Sequence, residues 1–170
     1  MKEKNLTCKT IFFLTVSFLF FRYDCPGGVR AQFIKIQKHG GPYLHINHVA
    51  AFGKTLTKVS FTVDSSSSVF LGRNNDWGPQ LALSEVSNTN TGYWHSDTED
   101  YNPWIKFKMS EEHEVVSVEV TDRQDCCFER FKLVEVLVLG SGTVTSCGVK
   151  SYEENHVYKY EWFILKFIFN

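Results

Sequence analysis

The chain has 170 residues, 43% hydrophobic and 22% charged, so its composition excludes wholesale disorder and allows one domain with a core. Aromatic residues reach 15%, a share that is typical of β-rich folds. The formal net charge is −1 and there is no basic stripe, which argues against a nucleic-acid partner because phosphate binding needs clustered Lys and Arg.

The first 31 residues have the layout of a secretory signal peptide. Three lysines precede an apolar run over residues 11–21, which is too short to span a bilayer comfortably. Val29-Arg30-Ala31 predicts cleavage before Gln32, which would give a secreted, extracellular protein with no membrane insertion after signal cleavage. The alternatives are an uncleaved signal anchor, or a buried strand or helix.

The predicted cleavage divides the five cysteines into two groups. Cleavage before residue 32 would remove Cys8 and Cys25 and leave Cys126, Cys127 and Cys147. In an oxidising compartment an odd number leaves one thiol without an intramolecular partner. If the two adjacent cysteines bond to each other, that thiol is Cys147.

Residues 32–46 are expected to be a polar lead-in to a domain over residues 47–170. From there the chain is typical of short strands between turn signals. Three segments alternate apolar and polar residues, and a fourth is more continuously apolar, as a strand covered on both faces would be. These predicted strands are 57–63, 105–109, 116–120 and 133–139. No segment has convincing helical periodicity, so the predicted class is all-β, a β-sandwich.

Residues 121–130, Thr-Asp-Arg-Gln-Asp-Cys-Cys-Phe-Glu-Arg, place two adjacent cysteines between two arginines. Upstream, His95 lies in a polar loop ahead of Asn102-Pro103-Trp104. One imidazole and two guanidiniums are a compact set of hydrogen-bond donors for the hydroxyls and ring oxygen of a small polar ligand. An oxidised Cys-Cys pair would add an apolar sulfur face, and this combination suits a deoxy sugar.

These motifs resemble the fucolectin family, the eel-agglutinin-like F-type lectins. The resemblance runs from about residue 47 to about residue 160, begins at Asn47-His48-Val49-Ala50-Ala51-Phe52-Gly53-Lys54, and is strongest at Asp122 to Arg130. The latter stretch is similar to the family's sugar-binding signature, Arg-x-Asp-Cys-Cys-x-x-Arg. The resemblance implies a β-sandwich jelly roll of the galactose-binding-like, discoidin-like type, here without the family's final strands, with a sugar site in the loops at one end.

The resemblance also implies roles for individual residues. The sugar ligands of the family fall on His95, Arg123 and Arg130, which would bind fucose through its ring oxygen and hydroxyls. The disulfide Cys126–Cys127 would pack against the sugar ring. Asp125 would hold an arginine in place.

The function implied is that of a secreted lectin that recognises terminal L-fucose on glycans, in innate immune recognition. Monosaccharide sites are weak, so useful avidity implies a homo-oligomer. The alternative is an extracellular structural or interaction module of the same fold that binds no sugar. An enzyme is not expected, because no catalytic frame surrounds the Ser, His and Asp residues and the predicted site lacks the two carboxylates that hydrolysis of a fucoside needs.

Metal ligands are less well marked. Family members commonly hold a structural calcium, but Ser84 stands at the position of the family's Asp, and Asn88, Asn90 and backbone carbonyls would supply only a partial ligand set. An ordinary Asn-rich loop is the alternative. His45 and His48 have a spacing that would suit a metal on a helix, but alternation along a strand would place them on opposite faces, so zinc is not expected.

The C-terminal residues depart from the family's pattern. Residues 161–170 form an aromatic and aliphatic tail, which is either a substitute last strand or an altered C-terminus. Cys147 resembles a cysteine that closes a short loop, but its expected partner falls near Trp162 or Phe163, where this chain has no cysteine.

Overall fold

The computed structural model describes residues 14–84, 92–123, 125–152 and 158–164, with side chains for all of these except 14–19 and 158–164. The fold is all-β, an antiparallel sandwich of the galactose-binding-like type, as the sequence predicted. The strands are β1 (Leu14–Lys38), β2 (His45–Ile46), β3 (His48–Phe52), β4 (Lys58–Val59), β5 (Phe61–Ser66), β6 (Trp94–His95), β7 (Trp104–Thr121), β8 (Val134–Gly140), β9 (Thr143–Lys150) and β10 (Tyr158–Ile164).

Helical structure in the described residues is confined to short turns. They are a 3₁₀ turn at Phe70–Gly72, the four-residue helix α1 at Asn74–Trp77, and 3₁₀ turns at Pro79–Leu83 and Phe128–Arg130. None of these is long and apolar enough to cross a membrane.

The predicted strands are present, with different boundaries. The segment 57–63 is divided between β4 and β5, and 133–139 corresponds to β8. The segments 105–109 and 116–120 belong to one strand, β7, of 18 residues. The charged residues between them mark no turn, because β7 continues through them; residues 113–115 pair with β1, and residues 109–112 lie at a register shift in that pairing.

The long strands β1 and β7 run antiparallel through both layers of the sandwich. The second half of β7 lies between β3 and residues 20–24 of β1, whereas its first half lies between β5 and residues 33–37 of β1. Register shifts in the β1–β7 pairing between Asp24 and Val29 and between Ala31 and Phe33 interrupt the ribbon. Bulges of this kind bend a strand and increase its local twist.

The core lies between the layers and follows strand alternation. Ile34 and Ile36 of β1 are fully buried, as are Phe107 and Met109 of β7. Two contacts join the first half of β1 to the β7–β8 loop and to β8. The Tyr23 hydroxyl donates to the Val134 carbonyl at 3.0 Å, and the Phe21 and Phe131 rings stack at 3.8 Å.

The N-terminal part of the domain differs from the sequence-based expectation. Residues 32–38, expected to be a polar lead-in, are the part of β1 that pairs with both β7 and β8. Polar residues Lys35 and Gln37 alternate with Ile34 and Ile36, which are buried. The segment assigned to a signal peptide also contributes core residues, among them Phe21 and Tyr23.

The prediction that Cys147 lacks a partner is wrong for this structure. Cys147 of β9 is bonded to Cys25 of β1, 122 residues earlier in the chain. Cys25 lies in the segment that the signal-peptide prediction removes, and the resemblance places the partner of Cys147 near Trp162 or Phe163. The strand between β7 and β8 is β1, which comes from the N-terminal side of the chain.

The C-terminal tail is partly described. Residues 158–164 form β10, which pairs antiparallel with residues 14–20 of β1. The first four residues of the 161–170 tail are therefore in a strand, and 165–170 lie outside the described residues.

Candidate functional site

The predicted site residues come from three parts of the fold. The loop between β7 and β8 carries Arg123, Asp125, the two adjacent cysteines and Arg130, while His95 ends the short strand β6. Residues 39–44, which connect β1 to β2, form a third wall. The Asn102-Pro103-Trp104 motif fixes this connection, because the Pro103 carbonyl accepts from the Lys38 backbone N–H at 2.9 Å and Asn102 Oδ1 accepts from Gly40 N–H at 3.2 Å.

His95 is held in one tautomer by its backbone contact. It is 8% exposed, and its Nδ1 lies 2.5 Å from the Ser96 carbonyl, which can only accept, so Nδ1 carries the proton. Burial lowers the pKa of His95, and the nearby Arg123 and Arg130 lower it further. The lowered pKa favours the neutral imidazole, in which Nε2 is the acceptor nitrogen.

Arg123 is fixed by a carboxylate and an aromatic ring. Its Nε and Nη2 donate to the two oxygens of Asp125 at 2.8 and 2.7 Å, and its guanidinium lies 4.9 Å from the centre of the Tyr93 ring. This bidentate pair raises the pKa of Arg123 and lowers the pKa of Asp125. Asp125 thus contacts an arginine of the signature, and the remaining N–H groups of Arg123 are left for another acceptor.

Arg130 is arranged around a second tyrosine. Its guanidinium lies 4.7 Å from the centre of the Tyr43 ring. No carboxylate of the described residues forms an ion pair with it. The rings of Tyr43 and Tyr93 lie 6.2 and 6.3 Å from the His95 ring, so the two arginine–tyrosine pairs flank the histidine.

The adjacent cysteines lie in the same loop. Cys126 and Cys127 are bonded to each other, and Cys127 has a left-handed backbone with φ of 66°. This residue starts the 3₁₀ turn Phe128–Arg130, in which the Cys127 carbonyl accepts from the Arg130 N–H at 3.0 Å. The disulfide therefore sits immediately before the turn that presents Arg130.

Two aromatic rings pack against the His95 ring. Phe70 packs against it at 4.5 Å between ring centres and Trp77 at 5.8 Å. Phe70 belongs to the 3₁₀ turn Phe70–Gly72 and Trp77 to α1. Their contribution had no signal in the sequence, since isolated aromatic residues in a polar stretch are compatible with many arrangements.

His45 was also missed as a neighbour of the site. It is 1% exposed, pairs across the β2–β6 ladder with His95, and lies 4.3 Å from the His95 ring. Burial lowers the pKa of His45 to about 2, with His95 and the two arginines adding to the effect. Neither ring nitrogen of His45 has a hydrogen-bond partner among the described residues. His48 turns elsewhere, its Nδ1 donating to the Ser84 carbonyl at 3.0 Å.

The described residues do not include the expected calcium ligands. Asn88 and Asn90 lie outside the described residues, as does Glu85. Within the described ranges, no group of three or more His, Cys, Asp or Glu side chains is placed to hold a metal ion. The described residues therefore do not supply the anionic oxygen set that calcium prefers.

Comparison with known protein families found a match in the C-terminal part of the chain. The F5/8 type C domain family matches residues 62–157, more than half of the chain. The chain belongs to the F5/8 type C domain family. Domains of this family are discoidin-like, carbohydrate-binding modules and are typically non-enzymatic. No curated protein and no solved structure matches the chain significantly.

The matched range contains most of the candidate site. His95 and the Arg123–Arg130 loop lie within residues 62–157 of the F5/8 type C domain, and glycans are the partners that this family suggests. Tyr43 and Lys38, which contact the loop from outside the matched range, belong to the strand and connection that precede it. The site of this F5/8 type C domain is thus built partly by residues that the family match does not cover.

Proposed function

We propose that this F5/8 type C domain is a fucolectin-type lectin that binds terminal L-fucose on glycans. The observation that supports it most is the convergence of His95, Arg123 and Arg130. Each guanidinium lies within 5 Å of a tyrosine ring, and each tyrosine ring lies 6.2 or 6.3 Å from the His95 ring. Three signature residues that are up to 35 positions apart in the sequence therefore form one cluster.

The donor and acceptor pattern of this cluster suits a sugar. A hydroxyl group can donate to neutral His95 Nε2 while its lone pairs accept from the N–H groups of Arg123 or Arg130. Hydrogen bonds to a charged group are worth about 1.5–3 kcal/mol each, enough to compete with water. The Cys126–Cys127 sulfur atoms supply an apolar surface in the same loop for C–H groups of a deoxy sugar.

Calorimetry of the full chain with L-fucose tests the proposal. Arg123→Ala and Arg130→Ala should each abolish binding without preventing folding, because both side chains are partly exposed and neither is in the core. Arg30→Ala is a matched control: its guanidinium lies 3.9 Å from Glu112, its side chain is 75% exposed, and it should leave affinity unchanged.

The possible results separate the alternatives. Saturable binding in the wild type that is lost in both site variants supports the lectin. Unchanged affinity in both variants refutes the site assignment. A folded wild-type protein that does not bind fucose favours a structural or interaction module of the same fold.

The biological setting is part of the same proposal. We expect a secreted protein acting in innate recognition of glycans, and a homo-oligomer, because a millimolar site contributes only about −4 kcal/mol and several sites are needed for avidity. Calcium enters as a stabilising ion, as the fucolectin resemblance implies. Melting the protein with added calcium and with a chelator tests it: equal midpoints exclude calcium, and a higher midpoint with calcium supports it.

A further inference from the structure

A buried lysine lies directly beneath the site. Lys38 is the last residue of β1 and is only 6% exposed. Its Nζ donates to the carbonyls of Pro42 at 2.9 Å, Tyr43 at 3.3 Å and Arg130 at 2.8 Å. An ammonium group has three N–H donors, so this arrangement accounts for all of them. Lysine is almost never fully buried unless it is paired, which makes its presence here informative.

The three carbonyls belong to the two segments that must meet for the site to form. Tyr43 lies in the connection from β1 to β2, and Arg130 ends the 3₁₀ turn before β8. Their side chains form the cation–π pair with 4.7 Å between guanidinium and ring centre. Lys38 therefore ties the backbones of both partners of this pair to one atom.

The backbone conformation of Tyr43 has to be held by its surroundings. Tyr43 has φ of 66°, a left-handed conformation that is uncommon for residues other than glycine. Such a conformation persists only where the surrounding structure holds it. The Lys38 contacts to Pro42 and Tyr43 hold this stretch at the point where the Tyr43 ring must meet the arginine.

The electrostatic environment of Lys38 favours a role in positioning its neighbours. Burial lowers the pKa of Lys38, while the buried Asp122 next to the signature loop opposes that shift and Arg130 and Lys132 add to it. Burying the Lys38 ammonium costs desolvation free energy, which a well-packed apolar residue would avoid. The buried charge is therefore weak evidence that Lys38 increases the stability of the domain. The ammonium instead specifies geometry, because its three hydrogen bonds fix the positions of three particular carbonyls.

We propose that Lys38 is a positioning residue for the sugar site, which sets the place of Arg130 by clamping its backbone and that of Tyr43. This inference rests on the proposed function for its binding readout. It makes the geometry of Arg130 dependent on a residue of β1 that lies outside the range of the family match.

The test uses Lys38→Met in the full chain, which keeps the length of the side chain and removes the donors. Two properties are measured: L-fucose affinity by calorimetry, and the NMR signal of the Arg130 Nε–H, which the ring current of Tyr43 shifts while the pair is intact. We expect affinity to fall by about tenfold or more, the effect of losing one good charge-assisted contact. The Arg130 signal should move to the position of a solvated arginine.

Val138→Ala is the matched control for loss of stability alone. Val138 is fully buried in β8, so its truncation destabilises the core without touching Lys38, Tyr43 or Arg130. We expect a lower melting temperature with unchanged affinity and an unchanged Arg130 signal. A purely structural role for Lys38 would make Lys38→Met behave like this control, and that result would overturn the proposal.

The two readouts keep this inference separate from the proposed function. If the wild type does not bind fucose, the proposed function fails, and the Arg130 signal alone decides the role of Lys38. A shifted signal in Lys38→Met then supports the clamp and an unshifted one overturns it. If Lys38→Met does not fold, Lys38→Leu, which also removes the donors, is judged by the same readouts.

Discussion

Removal of residues 1–31, the product of the predicted cleavage, should prevent folding of the remainder. The truncated chain 32–170 would lose Phe21 and Tyr23 from the core, where they are 5% and 0% exposed. Burial of a large apolar side chain contributes about 1.5–3 kcal/mol. The truncation would also remove the Cys25–Cys147 bond, which joins residues 122 positions apart. The chain-entropy estimate for closing a loop of roughly 100 residues is about 4.7 kcal/mol.

These losses together are on the order of 8–10 kcal/mol, and the total stability of a domain is only about 5–15 kcal/mol. The second half of β7 would in addition lose its β1 partner and become a sheet edge. Circular dichroism melting of 32–170 should therefore show no cooperative transition. The chain 14–170, which retains all of β1 in the described residues, is the matched control and should melt like the full chain.

A cooperative melt of 32–170 within a few degrees of the full chain would refute this reasoning. The same argument bears on export. If a folded domain is secreted, we expect the N-terminus of the mature protein, read by mass spectrometry, to lie before Phe20. A folded, secreted protein that begins at Gln32 would show that the part of β1 before residue 32 is not needed.

Two further predictions concern buried polar groups. Tyr23→Phe removes the hydrogen bond to the Val134 carbonyl and should lower the free energy of unfolding by about 1 kcal/mol; an unchanged urea midpoint would contradict it. The pKa of His45 is lowered in the folded state to about 2, so the unfolded chain takes up a proton first as pH falls below 6.5, and stability declines through that window. His45→Phe should remove about 1.4 kcal/mol per pH unit from this decline between pH 6 and 5; equal slopes would refute the assignment. Asp122, whose raised pKa acts in the opposite direction, is present in both proteins and does not affect the comparison.

Strand alternation predicted the fold class because it is a local property. Ile105, Phe107 and Met109 alternate with lysines, and the structure buries all three. The same rule applied to residues 32–38 would have predicted a strand, since Ile34 and Ile36 alternate with polar or charged residues. The preceding apolar run resembles a signal peptide, which would place a new N-terminus directly before this segment.

The candidate site was predictable where a short motif defines it. Arg123, Asp125 and Arg130 are close in sequence, so their place in one loop is a local property, whereas their roles are what the fucolectin resemblance implies. The remaining walls depend on contacts over long sequence distances. Lys38 reaches Arg130 across 92 positions and Tyr23 reaches Val134 across 111, and no local pattern reveals such pairs.

The two arginines of the site are held in different ways, and the difference bears on ligand recognition. Asp125 holds the Arg123 side chain directly and compensates its charge. Arg130 is held through its backbone by Lys38 and through its ring contact with Tyr43, and within the described residues it has no compensating carboxylate. A ligand oxygen near Arg130 therefore meets an uncompensated charge, whereas one near Arg123 meets a charge shared with Asp125. We therefore expect a ligand oxygen to make its stronger electrostatic contact with Arg130, whose carbonyl accepts a hydrogen bond from Lys38 of β1.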